Sequence, residues 1–96
     1  MKIMVKLGAP LSQVVGENKI TLNMPAETTV AGVLEELQAR HPDFEEGLRG
    51  KGLAKPIDRV LYSLFLNARP VPFEAAEATP LRDGDSVYLF LPVAGG

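Results

Sequence analysis

Ninety-six residues, a formal net charge of −2 and no cysteine describe one small domain that must close its core by apolar packing alone. Ten Lys and Arg stand against twelve Asp and Glu, and no two basic residues are adjacent, which excludes the clustered positive charge that nucleic-acid and anionic-membrane binders need. The missing thiols exclude disulfides, thiolate metal sites and cysteine nucleophiles.

Met1 to Lys6 interleaves charged and apolar residues and has no apolar core of a signal peptide, and no apolar run approaches a membrane span. The expectation is a soluble cytoplasmic protein, monomeric when free, with no nucleic-acid or membrane partner. Ile3, Val5 and Leu7 alternate with Lys2, Met4 and Lys6, the period-2 pattern of a strand with one buried face. Gly8-Ala9-Pro10 ends it, and residues 8–18 read as a loop with a helical turn near Leu11–Val15. Ile20, Leu22 and Met24 predict a second strand, stopped by Pro25 and paired antiparallel with the first.

Thr28 or Thr29 is placed to cap a helix running to about Arg40, in which Val30, Val33, Leu34 and Leu37 fall on one stripe. His41-Pro42 ends it, because a residue before proline is pushed out of the α region. Phe44 and Leu48 would pin a short helical turn to the core. Gly47, Gly50 and Gly52 with Lys51 and Lys55 then predict a basic loop. Gly47 and Gly52 have the interval of a phosphate-binding loop, but Leu53 stands where its lysine belongs.

Residues 59–66 predict a strand with Val60, Tyr62, Leu64 and Leu66 on one face and Leu61, Ser63 and Phe65 on the other, the signature of a central or doubly covered strand. Asn67 to Pro70 is turn chemistry, and Val71-Pro72-Phe73 predicts a short edge strand. Glu74–Thr79 reads as a loop, Leu81 to Asp85 as a tight turn, and Ser86–Leu91 as the last strand. One long helix and a mixed sheet of four to five strands make a two-layer α+β domain.

Side-chain catalysis finds little support. His41, the sole histidine, fits a helix end favoured by the dipole better than a base or metal ligand. Asp83 and Asp85 flank Gly84, where aspartate serves local backbone hydrogen bonds. In the last strand, Val87, Leu89 and Leu91 facing the core put Tyr88 and Phe90 on the opposite face. There they either form a protein-docking surface or cover the sheet against Phe65 or Phe73. Arg69 and Arg82 are further partner-binding candidates through acidic groups. The chain closes on Pro92-Val93-Ala94-Gly95-Gly96, a thin tail presenting a carboxylate, since the two glycines have no Cβ.

Leu81-Arg82-Asp83-Gly84-Asp85-Ser86-Val87 followed by Leu91-Pro92-Val93-Ala94-Gly95-Gly96 resembles the C-terminal signature of the MoaD/ThiS family of ubiquitin-like sulfur carriers. Thr28-Thr29-Val30 before the helix, and Leu66-Asn67 before Val71, extend the resemblance nearly end to end. Ala68 stands where the family has glycine, and the insert between His41 and Asp58 resembles the longer, MoaD-like members.

The resemblance implies a β-grasp fold over residues 1–91 and a flexible tail over 92–96. It implies that an E1-like enzyme, using ATP and Mg²⁺, adenylates the Gly96 carboxylate, and that sulfur then displaces AMP to leave a thiocarboxylate. Pro92, Val93, Ala94 and Gly95 would thread the partner's channel, and no cofactor or metal would reside on the chain itself. The implied recipient is the large subunit of molybdopterin synthase, with this chain as its small subunit, or another sulfur-accepting enzyme of thiamin, cysteine or tRNA-thiolation chemistry. A ubiquitin-like modifier that joins Gly96 to a lysine needs the same tail, and a plain interaction module needs none of this chemistry.

Overall fold

The computed structural model describes residues 1–9, 11–44, 46 and 62–90. Its strands are β1 (Lys2–Leu7), β2 (Lys19–Asn23), β3 (Ser63–Leu66), β4 (Arg69–Pro70) and β5 (Ser86–Phe90), and its helices are α1 (Leu11–Val15), α2 (Val30–Arg40) and a 3₁₀ helix over Phe73–Ala78. The strands form one sheet in the order β2-β1-β5-β3-β4. β1 and β5 run parallel, and the other neighbours are antiparallel. This is the mixed sheet and single main helix expected from the sequence, in the ubiquitin-like β-grasp arrangement.

Alternation decides which face is buried. Ile3, Val5, Leu22, Val87 and Leu89 are wholly inaccessible, and they pack with Val30, Val33 and Leu37 of α2. Leu34 packs against this core from its margin, and Phe44, just past the helix, is buried as the pin that its position promised. Leu48 and residues 59–61 lie outside the described residues. No helix among the described residues is long and apolar enough to cross a membrane.

The start of α2 differs from the sequence expectation. Neither threonine caps it with its side chain: the Thr29 hydroxyl makes no capping bond, and Thr28 Oγ1 donates to the Pro25 carbonyl. The chain segment before β5 does the work instead. Val30 N–H donates to Thr79 O at 3.0 Å and Leu81 N–H to Thr28 O at 3.0 Å. A backbone carbonyl thus satisfies one of the donors that every helix N-terminus leaves open. At the other end His41 is extended (φ −130°, ψ 94°), as a residue before proline must be.

The edge also differs. The predicted strand Val71–Phe73 is displaced to Arg69–Pro70, and the loop predicted over Glu74–Thr79 is largely the 3₁₀ helix. Pro70 and Pro72 supply no N–H, so the ladder ends when Val71 N–H reaches Leu64 O at 2.8 Å. β3 is flanked by strands on both sides, which is the interior position that its two apolar faces predicted.

Candidate functional site

β5 lies between β1 and β3 and delivers the chain to residue 91. Its inward residues, Val87 and Leu89, are anchored in the core. Its last turn of ladder is held from both sides: Phe90 pairs with Ser63 across β3, and Gly8 N–H donates to Leu89 O at 2.8 Å. That approach leaves no room for a side chain at position 8. A Cβ there would stand 2.9 Å from Phe90 Cβ and 3.3 Å from Phe90 Cα.

The outward residues of β5 meet partners that the sequence only half shows. Phe90, 38% exposed, stacks on Phe65 with ring centroids 5.4 Å apart and planes at 23°. Lys6 Nζ sits 5.1 Å from the Tyr88 ring centroid and donates to its hydroxyl at 3.4 Å. Lys6 is paired in register with Lys19, and two like charges so placed repel. The ring gives Lys6 an alternative, since the face of an aromatic attracts a cation. The sheet face opposite α2 therefore carries an aromatic patch of Phe65, Tyr88 and Phe90 bordered by lysines. The covering expected of these residues is met against Phe65, which Tyr88 faces in register and Phe90 stacks on, while Phe90 stays partly exposed.

The remaining partner-binding candidates are elsewhere. Leu66 pairs with Val87, and Asn67 N–H donates to Ser86 O at 2.8 Å, so the β3–β4 turn sits at the opposite end of β5 from Phe90. Four strand steps of about 3.3 Å separate the two ends, roughly 13 Å. Arg69 and Arg82 belong to that far end, and both are exposed. The aspartates beside them are turn builders. Asp83 Oδ1 accepts from Lys2 N–H at 2.6 Å, and Asp85 accepts from Arg82 N–H at 2.8 Å and from Asn67 Nδ2 at 3.2 Å. Asn67 also accepts from Ser86 N–H at 3.0 Å. It takes a positive φ of 56°, a conformation that asparagine tolerates. Ala68 is not among the positive-φ residues, which is why alanine serves where the resembling family has glycine. Pro92, Val93, Ala94, Gly95 and Gly96 lie outside the described residues.

Sequence comparison decides what this geometry belongs to. The family model described as the ThiS family matches residues 5–96. The chain belongs to the ThiS family. The family groups ubiquitin-like sulfur carriers and protein modifiers, and this member is 35% identical over 96 residues to small archaeal modifier protein 3 of Haloferax volcanii, covering 100% of both chains. Among solved structures it is similar to a putative molybdopterin converting factor, subunit 1, from Pyrococcus furiosus: 30% identity, TM-score 0.73, covering 97% of this chain and 99% of that one. Small archaeal modifier protein 1 of H. volcanii superposes with a TM-score of 0.74 at 23% identity, over 96% and 98% of the two chains, a likeness of fold alone. Names of modifiers and of a converting-factor subunit thus fall on one ThiS-family fold, which does not choose between them.

Proposed function

We propose that this ThiS-family chain is a sulfur carrier whose reacting atom is a carboxylate oxygen of Gly96. An E1-like enzyme joins that oxygen to the α-phosphate of ATP, with Mg²⁺ on the nucleotide, and releases pyrophosphate. Hydrosulfide released by a sulfur donor then attacks the acyl carbon and expels AMP, leaving a thiocarboxylate. The observation that carries this reading is the path of β5. A strand fixed in the core and clamped at Leu89 and Phe90 runs directly into Leu91-Pro92-Val93-Ala94-Gly95-Gly96, and the family match runs through the last of these residues.

Each part has a physical role in that cycle. The domain supplies grip through Tyr88 and Phe90, while Gly95 and Gly96, without Cβ atoms, pass a channel too narrow for other residues. Enclosure there excludes water from the mixed anhydride. The recipient we propose is a molybdopterin synthase large subunit. The P. furiosus relative, a converting-factor subunit, supports this choice. The second reading, conjugation of Gly96 to a lysine amine, is favoured by the 35% identity to a modifier protein. Incubation with ATP, an E1-like enzyme and a sulfur donor, followed by intact-mass measurement, separates them. One oxygen-for-sulfur exchange supports the carrier, and a ladder of conjugates supports the modifier. An unchanged mass with every cognate activating enzyme refutes both.

A further inference from the structure

The end of the sheet remote from Phe90 holds a cavity of about 350 Å³ whose walls include Leu66, Asn67, Arg69, Pro80, Arg82 and Asp85. Its charge is unbalanced in a specific way. Asp85, the one acidic wall residue, spends one carboxylate oxygen on Asn67 Nδ2 and the other on Arg82 N–H. Among the described residues the ion pairs are Arg40–Glu36 and His41–Glu17, so neither Arg69 nor Arg82 has a carboxylate partner there. Two arginines therefore share one concavity with a single carboxylate, and neither is ion-paired with it among the described residues. A planar guanidinium binds an oxyanion through paired N–H donors, which makes it a better receptor for such a group than a lysine is.

We propose that this pocket is a second docking site, which takes a carboxylate side chain from an acidic segment of a partner protein while the tail end is engaged elsewhere. The wall chemistry favours a peptide carboxylate over a free phosphate. Besides the two arginines few donors remain: one Asn67 Nδ2–H and the Arg82 backbone N–H go to Asp85, and the Thr79 hydroxyl goes to Ala75 O. A small anion, which relies on convergent donors, finds only the exposed arginines. A peptide adds apolar contact with Leu66 and Pro80. The position, about 13 Å from Phe90 along β5, keeps the site clear of that exposed ring, and it does not depend on the tail chemistry.

The test is an NMR titration of the isotopically labelled full chain with a hexaglutamate peptide at fixed ionic strength, with hexaglutamine and inorganic phosphate in parallel. The proposal expects saturable shifts centred on the amides of Asn67, Arg69 and Arg82, none with hexaglutamine, and only weak ones with phosphate. An Arg69→Ala/Arg82→Ala chain with an unchanged, well-dispersed spectrum should bind hexaglutamate about tenfold or more weakly, the effect of removing a charge-assisted hydrogen bond. A Lys19→Ala control should bind as the parent does. Phosphate binding that equals or exceeds the peptide's would make this a small-oxyanion site and overturn the proposal. So would the absence of saturation, or an equal loss in the Lys19 control. No activating enzyme enters the experiment, so its failure and that of the tail reading are separate results.

Discussion

Phe90 is packed and presented at once, since Phe65 covers one side of its ring while 38% of the residue stays exposed. Deleting the ring should therefore cost about 1–2 kcal/mol of stability, well under the roughly 3–5 kcal/mol of a buried Phe→Ala change. It should weaken binding of the activating partner by a hot-spot amount, about 2 kcal/mol or more. Chemical denaturation beside a binding titration measures both, and a stability loss larger than the binding loss would make Phe90 a packing residue only. Tyr62 is the opposite case, a buried side chain whose hydroxyl makes no well-formed hydrogen bond among the described residues. Burial raises its pKa above the ordinary phenol value, with the backbone at Leu11 opposing weakly. A phenol whose folded pKa is raised adds stability that is fully present below its unfolded pKa of about 10 and is lost as pH climbs from there through the folded value. Tyr62→Phe should match or exceed the parent in stability at neutral pH, and the parent should lose ground to it above about pH 10. A parent and variant that lose stability in parallel across that range would contradict this.

At the scale of elements, β5 and its neighbours show where sequence patterns carry the fold and where they stop. Period-2 alternation in Ile3-Val5-Leu7, Ile20-Leu22 and Val87-Leu89 marks the buried face, and the Val30-Val33-Leu37 stripe marks the helix, because burial acts on each of these locally. The cap of α2 was not legible, since it comes from Thr79 O, far along the chain, while nearby threonines offered a plausible local substitute. The displaced edge strand follows from two prolines whose combined effect depends on the β3 register. The split of Tyr88 and Phe90 from Arg69 and Arg82 needed the strand pairing, which no spacing reveals. Gly8 read as a strand terminator, but its main constraint is the contact with Phe90. Gly8→Ala should push the two strand ends apart and cost about 1–3 kcal/mol, as overpacking does. Amide shifts confined to residues 7–9 and 88–90 would accompany it. A variant with parent-like stability and unshifted Phe90 would show that the approach is less tight than described.

The whole molecule has two distinct ends joined by one strand. At one end are Phe90 and Gly8; at the other are the Asn67–Asp85 turn network and two arginines with no ion pair among the described residues. The core between them anchors β5 through Val87 and Leu89, and the chemistry we propose falls on Gly96 rather than on a side chain. The most direct measurement is fragmentation mass spectrometry of the chain after reaction with ATP, an E1-like enzyme and a sulfur donor, beside the same reaction of a chain lacking Gly96. The account predicts sulfur in place of oxygen on the C-terminal fragment ending at Gly96, and no modification of the shortened chain. Sulfur on any side chain, or activation of the chain without Gly96, would contradict it.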